Sequence, residues 1–106
     1  MSAALLWSAA FLMTGVASAA DIAAGKQKAE AVCQTCHGMN GVATLATTPN
    51  IGGQQRDYIV IQLEAYRSGK RQHLQMSTVA QPLTDADIEN LAEWYSSIKF
   101  TFEMPE

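Results

Sequence analysis

Three stretches of the chain carry apolar residues at helical spacing, and the two long stretches between them do not. Along residues 22–35, Ala23, Ala24, Ala29, Ala31 and Val32 form a surface of small apolar side chains, which predicts a first helix. Gly25 lies inside that helix at a cost in propensity, which implies that a second backbone packs closely there. Residues 56–68 repeat the period with Ile59, Leu63 and Tyr66, and Gly69 is placed to stop the helix. Thr84 opens a third helix. Its hydroxyl can cap the first turn, Asp87 stands where a capping box has Glu, and Ile88, Leu91, Ala92 and Tyr95 supply the apolar stripe. Of the neighbouring aromatics Trp94 and Tyr95, one is expected against the first helix near Gly25, with Leu91, and the other beside a bound group.

Residues 38–55, punctuated by Gly38, Gly41, Pro49, Gly52 and Gly53, show no period, and loops this long in a small domain are often functional. Residues 70–83, basic at the start and closed by Pro82, also read as irregular. No period-two run of useful length occurs, so the predicted class is all-α, three main helices joined by long loops. Residues 99–106 form a tail without a pattern.

The first twenty positions carry no charge. An apolar run from Ala3 to Val16, followed by Ala17, Ser18, Ala19 and Ala20, reads as a secretory signal peptide cleaved after Ala19 or Ala20. The run is short for a membrane span, which needs roughly 20 apolar residues. It also lacks the usual Lys or Arg before the apolar core, which keeps open a retained anchor or an ordinary buried helix. On the signal reading, residues 21–106 form one domain that works in the periplasm, exported, and is not an integral membrane protein.

A domain of that size buries a modest core and gains from a covalent or cofactor staple. The two cysteines are too close together to staple it themselves. Cys33-Gln34-Thr35-Cys36-His37 is instead a C-x-x-C-H sequence, the attachment signature of c-type haem. Two thiols one helical turn apart can add to the two haem vinyl groups, and the next residue, His37, is placed to coordinate the iron. A thioredoxin-like pair would want a preceding strand. A zinc site would need a fourth ligand, for which only His73 offers itself. A disulfide between i and i+3 closes almost no loop. Net charge −3 and pI ≈ 5.2 argue against a nucleic-acid-binding surface. No acid–base pair, nucleophile constellation or phosphate loop supports independent catalysis, so the chain reads as no enzyme.

From Gly25 to Ile98 the chain resembles the class I cytochromes c, especially small bacterial monohaem forms and the single-haem halves of dihaem periplasmic cytochromes. The resemblance runs through Gly25-Lys26, Cys33 to Gly38, Pro49-Asn50-Ile51-Gly52-Gly53-Gln54, Tyr58 to Leu63, Tyr66 to Arg71, Met76, Pro82 to Asp85 and Leu91 to Tyr95. Ala29 departs from it, since many relatives carry an aromatic there. The resemblance implies the cytochrome c fold, its loops wrapped around one covalently bound haem c held by Cys33 and Cys36. It implies iron ligation by His37 and Met76, with the Pro49 carbonyl accepting the Nδ1–H of His37. Met39 stands two residues from His37, a reach of at most about 7 Å, and stays on that side. Met76 lies in the second irregular segment, six residues before Pro82, where His73 is its competitor.

The expected function is electron transfer between periplasmic or membrane redox partners: a membrane cytochrome complex, a terminal oxidase or a dehydrogenase. The alternatives are the cytochrome subunit of a larger oxidoreductase, and an enzyme or gas sensor with an open sixth iron position. Lys70 and Arg71 read either as a solvated turn or as a steering pair for an acidic partner.

Overall fold

The computed structural model describes residues 1–11 and 19–106. It contains five helices and, among the described residues, no strand: α1 (Ile22–Val32), α2 (Gln34–His37), α3 (Arg56–Ser68), α4 (Leu74–Ala80) and α5 (Asp85–Ser97). The three expected helices are α1, α3 and α5. The proposed leader falls partly outside the described residues, in 12–18; Met1–Phe11 has no regular structure, with Leu5, Leu6, Trp7 and Phe11 exposed. No described helix is long and apolar enough to cross a membrane.

Local chemistry accounts for the helix ends. The Asp21 carboxylate accepts from the Ala23 and Ala24 amides at 2.8 and 3.3 Å and opens α1. Thr84 and Asp87 form the expected reciprocal box: the Asp87 amide donates to Thr84 Oγ1 at 3.1 Å, and the Thr84 amide to Asp87 Oδ2 at 3.0 Å. These hydrogen bonds, helped by Lys28, hold the Asp87 carboxyl below its ordinary pKa. Gly69 closes α3 with φ +83°, a left-handed conformation in which glycine carries no steric cost.

Two expectations change. The first helix does not run unbroken over 22–35; it stops at Val32, and the separate turn α2 begins after Cys33 and reaches His37. The segment 70–83 is not wholly irregular, because α4 stands within it. No hydrophobic period marks so short a helix. It forms because His73 caps it from the side chain and Ala80 buries its far end.

α1 packs most extensively on α5, α3 lies against α5, and α4 against α3. The core is small: Ala29, Ile59, Tyr66, Ala80, Leu83, Ile88, Leu91, Ala92 and Tyr95. At the α1–α5 crossing, Gly25 meets the backbone of Asn90 and the Cβ of Trp94, so the close approach is real. The atoms nearest to a side chain at Gly25 are the Asn90 backbone and, of the two aromatics, Trp94. The same Asn90 accepts from the Asp21 amide at 2.8 Å and fixes where α1 begins. Ala29 is completely buried, and with no ring at that position the helices stay close. Arg56 joins α3 to α5 through Glu93 at 2.6 Å and through Glu89.

Candidate functional site

The C-x-x-C-H residues sit where α1 passes into α2. The amides of Cys36 and His37 both donate to the Cys33 carbonyl, at 3.3 and 3.0 Å, so the two sulfurs stand one tight turn apart. Both cysteines are free and partly exposed. Burial pushes the Cys33 thiol up to about 11, against the opposing pull of Tyr95 and Lys28. At neutral pH it is a thiol, the opposite of the low-pKa thiolate that thioredoxin-like chemistry requires. No strand stands before it among the described residues.

His37 is the one polar side chain in the buried set of described residues. Its Nδ1 lies 2.9 Å from the Pro49 carbonyl oxygen. A carbonyl can only accept, so Nδ1 carries the proton and Nε2 keeps its lone pair. That lone pair has no hydrogen-bond partner among the described residues, and no buried nitrogen there is left unpaired, so Nε2 is reachable from outside. This is the state in which an imidazole binds a metal.

The loop brings Pro49 to the ring by folding back on α2. The Thr44 amide and hydroxyl donate to the carbonyls of Cys36 and Thr35, at 3.2 and 3.1 Å. The Ala43 amide donates to Asn50 Oδ1 at 2.7 Å, and the Ile51 amide to the Gly41 carbonyl at 2.8 Å. Gly41, at φ +72°, lies so close to the backbone of Gly52 that no side chain fits between the two strands of the loop.

From the opposite side, α5 secures the residues that follow His37. Tyr95 Oη donates to the Gly38 carbonyl and Trp94 Nε1 to the Met39 carbonyl, each at 3.1 Å. The sequence marked one of the two aromatics for the helix crossing and the other for a bound group; their polar contacts had no signal in it. Tyr95→Phe is expected to cost about 1 kcal/mol of stability, the ordinary value of one hydrogen bond, since the Gly41 amide still donates to the same carbonyl. Denaturant titration measures it, and an unchanged midpoint would mean that the hydroxyl holds nothing.

His73 takes the opposite tautomer. Its Nδ1 accepts the Met76 amide at 3.2 Å, which leaves the proton of the neutral ring on Nε2. In this arrangement neither nitrogen of His73 offers a free lone pair to a metal. No three His, Cys, Asp or Glu side chains gather into a metal-binding group among the described residues, which leaves the zinc reading without its donors. Met76 is half-buried and packs against the core, as do Cys33, Met39, Ile51, Val60 and Leu63, all with part of the side chain still exposed. Arg71 lies over the Tyr66 ring at 4.7 Å and donates to Gln62 at 2.7 Å, so it is engaged within its own chain.

A flat, largely apolar group with an iron centre fits these residues. Two unpaired thiols, an imidazole with its lone pair free and a set of half-covered apolar side chains are the donors and the surface it needs. Two open grooves of about 280 and 320 Å³ flank the α1–α5 crossing, and neither is lined by Cys33, Cys36, His37 or Met76. The donor set, not cavity size, locates the site.

Comparison with known proteins agrees with this chemistry. The family model described as cytochrome c matches residues 22–99. Cytochrome c-554(548) of Halomonas halodenitrificans is 39% identical over 82 residues, which cover 74% of this chain and 98% of that protein. Cytochrome c4 of Pseudomonas aeruginosa is 37% identical over 95 residues, covering 89% of this chain and 47% of its own length. The chain therefore spans about half the length of the cytochrome c4 it matches. The crystal structure of reduced recombinant cytochrome c4 from Pseudomonas stutzeri superposes with a TM-score of 0.65 at 32% identity, over 76% of this chain and 50% of that one. With its fold, its C-x-x-C-H turn and these relatives in agreement, the chain belongs to the cytochrome c family.

Proposed function

We propose that the chain is an exported monohaem electron carrier, which passes single electrons between periplasmic or membrane redox partners. The observation that carries the reading is the buried His37 ring, its Nδ1–H on the Pro49 carbonyl at 2.9 Å and its Nε2 free, directly after the paired cysteines. Haem c, the cofactor of this family, supplies the one-electron couple of its iron.

The side chains divide the remaining work. Cys33 and Cys36 hold the group by thioether bonds. His37 Nε2 would hold the iron, and the Pro49 carbonyl both orients the ring and makes it a stronger donor. Met76 would supply a thioether as the second ligand, which favours a higher potential than a second histidine would. With His37 and Met76 both holding the iron, no position would be left for a substrate, and contacts with partners would be brief and small. Residues 21–106 form the working domain, and residues 1–20 are the leader that directs it to the periplasm.

Protein expressed with haem-maturation machinery is expected to carry one covalent haem by mass spectrometry, and Cys36→Ala at most a single-bonded, less stable product. Haem that extracts into acidified organic solvent would overturn the attachment. Stable copurification with a larger catalytic chain would instead favour the subunit reading, and a high-spin ferric spectrum the open-site reading.

A further inference from the structure

Helix α4 has seven residues, and Met76 lies in its first turn. A helix that short does not hold itself in water, because nucleation costs more than its few hydrogen bonds recover. Its placement depends on ties at its ends. Beyond the C-terminal end, Gln81 Nε2 donates to the Arg67 carbonyl at 2.9 Å, and Arg67 Nη1 donates to the Leu83 carbonyl at 3.0 Å. Ahead of the helix, the Arg71 amide donates to the Ala65 carbonyl at 3.0 Å.

Between these anchors lies the stretch that carries Met76, where Leu74 is 87% exposed and Met76 itself is half-buried against the core. What closes it is His73. The His73 Nδ1 accepts the Met76 amide at 3.2 Å, and the His73 amide donates to Ser77 Oγ at 3.1 Å. The first bond is that of an N-cap, with histidine in place of the usual residue, and the second comes back from Ser77, one position beyond the partner a capping box would use. Histidine is not among the favoured N-caps. Its Nδ1 is nevertheless bonded to Cγ, as Oδ1 of asparagine is, and so reaches the same amides. The acceptor meets the backbone nitrogen of Met76 itself.

We propose that His73 is a positioning residue for the electron-transfer site: by capping α4 it holds the Met76 sulfur at the iron and slows its release. The proposal rests on the reading of Met76 as the distal ligand. His73 does not coordinate; it acts through the residue three positions on. The role differs from the competing one weighed for it in the sequence, where His73 replaces Met76.

The experiment uses the haem-loaded full-length protein in its ferric form, as wild type, His73→Ala and His73→Asn. Two signals are read: the weak near-infrared absorption of a thioether–ferric bond, and the limiting rate at which saturating imidazole binds, which reports release of the sulfur. His73→Ala is expected to keep the band and raise the limiting rate about fivefold, equivalent to about 1 kcal/mol, the usual worth of one N-cap. His73→Asn, which restores an acceptor on Cγ, is expected to return the rate to within about twofold of wild type. A wild-type rate in His73→Ala overturns the proposal, as does a His73→Asn rate as fast as that of alanine. In either case an intact wild-type band leaves Met76 in place as the ligand. A wild type without the band overturns the Met76 reading itself, and the proposal with it.

Discussion

Gly25→Val in the haem-loaded protein is expected to lower the thermal midpoint by about 10 °C or more, from an overpacking cost of about 3 kcal/mol. A Cβ at Gly25 would stand 2.6 Å from the carbonyl carbon of Asn90, closer still to its oxygen, and 3.0 Å from Trp94 Cβ. The first two are backbone atoms of α5 and cannot swing aside as the end of a side chain would. The helices must therefore separate. Separation pulls on more than the crossing, because Trp94 and Tyr95 on the same helix hold the Met39 and Gly38 carbonyls next to His37. Ala23→Val, on the exposed side of α1, serves as the control, with an expected cost of a few tenths of a kcal/mol from helix propensity alone. Equal midpoints for Gly25→Val and wild type would show that the crossing does not need the glycine.

Met76→Ala is expected to abolish the near-infrared thioether band, lower the reduction potential and leave the ferric iron with an open or water-filled sixth position. Met39→Ala is expected to leave the band in place, because the Met39 backbone is held beside His37 by Trp94 Nε1. His73→Ala should also keep it, since the protonated Nε2 of His73 and its occupied Nδ1 do not suit it to replace the sulfur. A band that survives Met76→Ala and disappears with His73→Ala would reverse the assignment. The two methionines differ in their reach: Met39 is tied two residues from His37, and Met76 follows a whole helix and a turn.

The sites of the two largest effects were legible in the sequence to different depths. Gly25 announced a close backbone approach, because a glycine inside a helix is unfavourable unless something needs the space. Which residue filled that space was not announced. The apolar stripe pointed to Leu91, but the nearest atoms are those of the Asn90 backbone, and backbone atoms leave no trace in a hydrophobic pattern. The chemistry of the C-x-x-C-H residues was legible from their spacing, whereas the helix break at Cys33 that shapes the turn was not.

By itself the sequence determined what is local or periodic. The stripes of α3 and α5, the box of Thr84 and Asp87, the stop at Gly69 and the attachment motif are all interactions within one or two turns of chain, where spacing dictates geometry. Tertiary structure decided the rest. The state of His37 depends on a carbonyl twelve residues away, delivered by a loop with no period of its own. The carbonyls of Gly38 and Met39 are claimed by aromatics more than fifty residues later. α4 has too few residues for a hydrophobic period to register, and it exists because α3 receives its far end and a histidine closes its near one. A sequence pattern records which side chains avoid water; it does not record which distant backbone groups they will hold.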